Sequence, residues 1–396
     1  MVGLATAWFL QERGVEVTVY ERAEVASGSS RGNAGWLTPS MAVPLADPSV
    51  LRYGLRAVLS AKSPVYVPIT ADPRLLRFLA GFTRNCTTAR WRRAMAALIP
   101  LNTRALDAFD ELTAGGVEAR TRDADPFTAA FRTVEETRGL LDEFEQIRRA
   151  GQTVDYEIVD GAAARATEPA LSAAVGAAIR IRGERFIDPA GFVRALAGAV
   201  RARGGTLVEH AGEVDIVSST DAVRIGERSF DAVVLATGAW LDQVAGRFGV
   251  RRIVQAGRGY SFSVPVDSLP SGPVYFPTQR VACTPIGDRL RIAGMMEFRK
   301  ASAPMDPRRI QALVEQAGQL LTGAHLADRQ DEWVGSRPCT TDGLPLIGAS
   351  ADPRVFIAGG HGMWGITLGP VSGRLLAEQI VTGTRPDALR GVDPLR

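Results

Sequence analysis

The sequence predicts an α/β fold, α+β overall, in which a discontinuous Rossmann-like nucleotide domain is joined to an antiparallel β-sheet domain that carries helices. Three observations predict it. Residues 1–35 have the grammar of a dinucleotide-binding βαβ unit that lacks its opening. The stretches 185–240 and 337–373 return to strand, glycine turn and helix after a long interval of different character. Residues 250–331 hold short alternating or apolar runs with turns between them, the pattern of an antiparallel sheet. The expected nucleotide domain is 1–60, 180–245 and 335–396, and the expected substrate domain 61–179 and 246–334.

In order, MVGLATAWFLQERG is the body of a helix packed through Ala5, Ala7, Phe9 and Leu10, with Gly14 as its C′ residue. VEVTVYER is a buried strand whose Val15, Val17 and Val19 alternate into Glu21, and GSSRGNAG is a small-residue loop. In a complete unit a strand and the turn G-x-G-x-x-G precede the helix, and backbone N–H groups at the helix start hold a pyrophosphate. Gly3 fits the third glycine, where helix and strand pack closely. The first strand and the two phosphate-turn glycines are not in the sequence. We expect them to be encoded just upstream, as an in-frame strand ending in G-x-G before a start codon placed too late. A carboxylate at the end of the second strand is placed to accept both ribose hydroxyls of an adenosine, which is the expectation for Glu21. The plain alternative is a surface glutamate on an ordinary αβ unit.

Asp47-Pro48 and Asp72-Pro73 each read as an N-cap with proline at the first helical position. Residues 73–112 are Arg-rich and helical in pattern, with a break expected near Pro100. The cluster Arg84, Arg90, Arg92 and Arg93 around Trp91 reads first as a solvated helix face, with a membrane surface or an acidic partner as the alternative. Thr133 and Glu136 form an expected capping box, followed by the stripe Leu140, Leu141, Phe144 and Ile147 closing at Gly151. Asp188-Pro189 caps another helix, and FDAVVLATGAW is an apolar strand running into Thr237-Gly238. Asp306-Pro307 starts a helix after the sheet-forming runs. The glycine-rich run 355–373 reads as strand, loop and helix start rather than a membrane span, because glycines, Pro370 and His361 interrupt it.

With 396 residues, 46% of them hydrophobic and 22% charged, the chain can bury a large core. A net charge of +3 is too slight to argue for nucleic acid. Cys86, Cys283 and Cys339 fit a reducing, cytoplasmic setting and exclude a cysteine zinc site. His210, His325 and His361 are too few for a histidine-ligated metal, so no metal is expected. No secretory leader is recognisable in the first residues.

Together the segments VGLATAWFLQERGVEVTVYER, GSSRGNAG, SPVYVP, DPRLLRFLAGFTRNC, LATGAW, RGYSF, RPCTTDGLPLIG and GGHGMWGITLGPVSG resemble the D-amino-acid oxidase-like family of flavoproteins, most closely its D-amino-acid dehydrogenase branch. They span almost the whole chain in the family's order. The resemblance implies non-covalent FAD in an extended pose. Glu21, with Arg22 beside it, would hold the adenosine ribose, and Gly3 would let the first helix approach. Ser29, Ser30, Asn33, Ala34 and Gly35 would line the pyrophosphate and flavin. Val214 would present its backbone to the adenine, and Thr237 and Gly238 would close over the nucleotide. Gly360, Gly362, Gly365, Ile366 and Thr367 form the loop before Pro370 and its helix. Its amides are expected to face the N1 and C2-carbonyl edge, where negative charge develops on reduction.

Arg337 is the expected substrate anchor, since the family sets an arginine of this R-P-x-T-x-D-G segment over the flavin and a guanidinium fork holds a carboxylate by two parallel hydrogen bonds. The plain alternative is a salt bridge to Asp342. Tyr260 would add a polar contact or shut the pocket, and its alternative is a core aromatic. His361 is the tempting general base, although the resemblance makes G-H-G chiefly a backbone element. Met363 stands where glycine-oxidase-like members carry a further arginine, which implies a roomier, more apolar pocket and argues against glycine as substrate.

The implied activity is oxidative deamination of a D-amino acid, or of an N-substituted one such as hydroxyproline or a sarcosine-like compound, with oxygen or a quinone as final acceptor. Peripheral contact with the inner face of a membrane would serve the quinone route. Two rivals remain open: a non-catalytic remnant or accessory subunit, motivated by the missing strand, and an NAD-dependent Rossmann enzyme, which predicts neither LATGAW nor the C-terminal glycine loop.

Overall fold

The computed structural model describes residues 1–48, 63–68 and 71–396, so the helix expected after Asp47-Pro48 lies outside the described residues. Helix Val2–Gln11 is apolar all round, and every residue from Leu4 to Leu10 is buried, as a helix covered on all sides requires. Its close approaches are made at glycines. A Cβ on Gly3 would stand 3.1 Å from the Cβ of Ala236, and one on Gly373 would stand 2.6 Å from the Thr6 nitrogen, where this helix meets helix Gly369–Thr382. The same core takes in Leu98, Leu101, Phe109 and Leu112, so the region expected in the substrate domain also packs beneath the N-terminal helix.

The parallel strands come in two separate pieces. Thr18–Tyr20 pairs with Thr206–Val208, and Val233–Leu235 pairs with Val355–Gly359, which pairs antiparallel with Leu346–Ala349. The larger sheet runs in space as Gln330–Thr340, Val254–Val264, Arg289–Phe298, Val281–Ile286, Val274–Phe276, Phe127–Phe131, Ala177–Ile181 and Tyr156–Asp160. Two of its contacts are parallel: Val274–Phe276 with Phe127–Phe131, and Val65–Tyr66 with Arg289–Phe298. Its antiparallel centre is what the alternating runs of residues 250–331 predict. The strands at 127–131 and 177–181 are almost wholly buried, without a polar face to mark them in the sequence.

The aspartate caps form as expected. Asp72 Oδ1 accepts from the Arg74 and Leu75 amides, Asp188 Oδ1 from Ala190 and Asp306 Oδ1 from Arg308. Helix Thr88–Asn102 carries Pro100 in its last turn and gives way at Thr103 and Arg104 to helix Ala105–Ala114, the break expected near Pro100. One local expectation fails. The Thr133–Glu136 capping box does not form: Glu136 Oε2 accepts from the Arg132 amide, a 3₁₀ turn Glu135–Thr137 intervenes, and the helix begins at Arg138. Trp91 is buried while Arg84, Arg92 and Arg93 are exposed around it. The three cysteines are free and buried. Among the described residues no helix is long and apolar enough to cross a membrane.

Candidate active site

Strand Val254–Val264 decides the site by its alternation. Arg258, Tyr260, Phe262 and Val264 point toward helix Pro307–Ala317, in the core that Tyr260, Phe262 and Val264 share with Ile310 and Leu313. Gly257, Gly259, Ser261 and Ser263 point the other way, and on that face the register sets Arg337 opposite Gly257, Gly335 opposite Gly259 and Trp333 opposite Ser261. A Cβ on Gly259 would collide with the Arg337 guanidinium, so the missing side chain is what lets the arginine lie across the sheet.

Arg337 Nη1 donates to the Met295 carbonyl at 2.8 Å and lies 3.8 Å from the Met296 sulfur. Burial lowers its pKa. The salt bridge to Asp342 does not exist. Asp342 accepts two bonds of 3.0 Å from Arg396 and lies 3.9 Å from Arg252, and these guanidiniums overcome its burial to hold the carboxyl below the usual range. Among the described residues no carboxylate is within ion-pair distance of Arg337, which leaves a half-buried guanidinium without its usual anion.

The loop after the first parallel strand closes on this face. Ser29 Oγ donates to the Ser336 carbonyl at 2.6 Å, and Arg291, itself bonded to Ser263, donates to the Arg31 carbonyl at 3.1 Å. The Asn33 amide reaches the Ser30 carbonyl, and its side-chain oxygen accepts from Gly35 at 2.8 Å, with Ala34 between. Gly35 has φ +78° beside the Ile187 carbonyl, and Gly32 lies flat against the Trp333 indole, where a Cβ would collide. The C-terminal glycine loop meets the same segment. Thr367 Oγ1 donates to the Trp36 carbonyl at 3.0 Å and Trp364 Nε1 to the Val43 carbonyl at 2.7 Å. Gly360 and Gly362 have φ of +73° and +56°, Gly365 sits against His361, and Ile366 is buried in the core of the first helix. A narrow pocket over this loop is lined by Leu45, Cys339, Gly360, His361, Met363 and Trp364.

The remaining expected residues form an adjacent cluster. Glu21 Oε1 accepts from the Ala23 amide, and the Arg22 guanidinium lies 3.9 Å over the Trp240 ring, just after Thr237 and Gly238, where Gly238 has φ +58°. Val214, like Tyr20 and Val233, packs against the core of Leu235, Leu241 and Ile357.

Two candidate catalytic residues take their plainer readings, a core aromatic and a structural loop histidine. Tyr260 is 1% exposed and its hydroxyl donates to Glu297 at 2.7 Å, on the opposite face of the sheet from Arg337. His361 is 2% exposed with Nε2 2.9 Å from Ser372 Oγ, and burial pulls its pKa down to about 4. Because Ser372 Oγ donates to the Leu368 carbonyl, it accepts from the ring, which places the histidine proton on Nε2. Sequence reasoning missed Met295, Gly32 and Trp333. The i, i+2, i+4 spacing of Trp333, Gly335 and Arg337 is the signal that could have found the last.

The residues present fit a dinucleotide with a flat ring. Gly238 and Gly362, with φ of +58° and +56°, have open space where a Cβ would stand, and the fully buried hydroxyls Thr38 Oγ1 and Ser261 Oγ have no partner among the described residues.

The comparisons agree. The chain is 30% identical to a D-amino acid dehydrogenase of Cereibacter sphaeroides over 98% of its own length and 91% of the relative's. Glycine oxidase from Geobacillus kaustophilus superposes with a TM-score of 0.75 at 23% identity, over 100% of this chain and 96% of that one. L-proline dehydrogenase from P. horikoshii gives 0.70 at 18%, over 100% and 94%. An L-alpha-glycerophosphate oxidase from Mycoplasma pneumoniae with FAD bound gives 0.72 at 16%, over 98% and 95%. The family model described as DAO, FAD dependent oxidoreductase, matches residues 1–379, and the chain belongs to that family of FAD flavoenzymes.

Proposed function

We propose that the protein is an amino acid dehydrogenase or oxidase that deaminates a D-amino acid, or an N-substituted amino acid, to the imino and then the keto acid. The observation that carries this reading is Arg337: a half-buried guanidinium on a glycine floor, with Asp342 held by Arg396 and no other acid in reach among the described residues. A substrate carboxylate completes that site by two parallel charge-assisted bonds. FAD, when bound, would supply the two-electron acceptor for the hydrogen on the substrate Cα.

The chain's own part is to hold and orient. Glu21 and Arg22 receive the adenosine end, Ser29, Ser30, Asn33 and Gly35 the pyrophosphate, and the amides of Gly360, Gly362, Gly365 and Thr367 the ring edge. Arg337 fixes the substrate so that its Cα–H faces the acceptor. A substrate amine that arrives neutral needs no base from the protein. We therefore assign His361 to clasping the loop through Ser372, not to proton abstraction. Met363 and Leu45 keep the neighbouring pocket apolar, which disfavours glycine. The discontinuous partition into nucleotide and substrate domains belongs to this same reading. The electrons pass to oxygen or to a quinone, and exposed Arg84, Arg92 and Arg93 offer a basic surface for the quinone route at a membrane.

The test is turnover on a panel of D-amino acids, hydroxyproline, sarcosine and glycine, with oxygen against an artificial acceptor, on protein whose flavin has been quantified. Flavin-loaded protein inactive on every member refutes the reading. A second reading, a non-catalytic accessory subunit, is favoured by the two-piece parallel sheet. Colourless protein that takes up no added FAD would support it.

A further inference from the structure

We infer that the irregularity at Met295 is a positioning device for Arg337, pinned from the opposite face of the sheet by Glu297, Tyr260 and Arg258. The inference rests on Arg337 as the carboxylate holder. Strand Arg289–Phe298 loses register against Val254–Val264 between Arg258 and Tyr260, and in that shift Met295 adopts φ +65°, a conformation a methionine rarely takes. Such a bulge re-aims a backbone group, here the Met295 carbonyl, which accepts from Arg337 Nη1 at 2.8 Å.

The strained residue is held on both flanks. The Met296 amide donates to the Pro64 carbonyl at 2.7 Å, where Val65–Tyr66 pairs with the strand. Glu297, fully buried, accepts from Tyr260 at 2.7 Å, Arg258 at 3.0 Å and Arg299 at 3.3 Å. Arg258 is fixed in turn by the Ala303 and Pro304 carbonyls. Glu297, Tyr260 and Arg258 lie on the face away from Arg337, and their hold on it runs through Met295 and Met296, whose carbonyl oxygen and sulfur respectively meet the guanidinium. Tyr260 thus acts on the substrate through Met295, as a positioning residue.

Three variants separate positioning from bulk stability. Met295→Val keeps most of the apolar volume but resists positive φ, and is expected to raise KM for the amino acid and the Kd of a carboxylate inhibitor such as benzoate by about tenfold. At saturation its kcat should stay within about threefold, with flavin content unchanged. Met295→Gly loses packing and melts lower, yet accepts positive φ without strain, and is expected to show less than a third of that rise. Tyr260→Phe, the milder change if Met295→Val fails to fold, should shift KM and benzoate Kd together by about threefold. Arg337→Ala is the control. If Arg337→Ala weakens benzoate binding while Met295→Val and Tyr260→Phe leave it unchanged, the positioning role is overturned. If Arg337→Ala itself leaves benzoate binding unchanged, the anchor reading fails first. An effect that follows melting temperature across the variants, larger for Gly than for Val, also overturns the inference.

Discussion

Arg337→Ala is the perturbation on which the functional reading turns. A hydrogen bond to a charged group contributes about 1.5–3 kcal/mol, and the fork supplies two of them to a carboxylate. Nη1 is already committed to the Met295 carbonyl, so one edge of the guanidinium is pre-oriented and little side-chain entropy is left to lose on binding. Water entering the space left by the deletion recovers part of the loss. A net cost of about 3 kcal/mol corresponds to roughly a 150-fold rise in KM. Arg337→Lys keeps a point charge but not the fork, and should cost roughly tenfold. Steady-state kinetics with an artificial electron acceptor, on enzyme whose flavin is measured by absorbance, gives KM and kcat separately. A rise in KM with modest change in kcat is the signature of lost uniform binding, and a parallel fall in kcat shows that the carboxylate also aligns Cα–H. An unchanged KM with flavin retained would refute the anchor.

The remaining predictions concern the residues around it. His361→Gln should retain turnover within about fivefold, because an amide can still reach Ser372, whereas a loss near the 10²–10⁴-fold worth of a general base would restore the catalytic role. Glu184 is 3% exposed, its Oε1 accepts from Ser40, its Oε2 has no partner among the described residues, and burial pushes its pKa up to about 7. Its folded value lies above the unfolded 4.5, so its stability contribution is present below pH 4.5 and lost as pH rises through about 7. Glu184→Gln should therefore gain on wild type between those limits, by up to about 3 kcal/mol in urea unfolding at pH 8 against pH 4.5; a pH-independent difference would contradict this. His361 acts with the opposite sign: its folded value near 4 lies below the unfolded 6.5, so the stability it contributes is full above 6.5 and lost as pH falls toward 4. Histidine-to-glutamine protein should lose that acid-side slope. Gly32→Ala should cost about 1–3 kcal/mol and reduce flavin retention, because its methyl enters the Trp333 ring; equal flavin content and melting temperature would show that the loop moves freely.

The sequence by itself determined what depends on near neighbours in the chain. Asp72, Asp188 and Asp306 cap helices because an aspartate before proline satisfies the first amides wherever the helix later packs. The alternation of residues 250–264 marks a strand, and the small residues at 29–35 and 360–367 mark loops whose backbone can approach a large ligand. Those segments, in their order, sufficed to identify the family. What the tertiary structure alone decided is parity and partnership. Period-two alternation separates Tyr260 from Gly259 but does not say which face meets Arg337; pairing with Gln330–Thr340 does, and it turns Tyr260 away. Asp342 looked like the neighbour of Arg337, yet Arg396, 54 residues along, claims it. Met295 carries no mark at all, since its left-handed backbone arises from a register shift between two strands. Local propensity is written in adjacent residues, whereas faces, ion partners and bulges are set by hydrogen bonds between strands far apart in the chain.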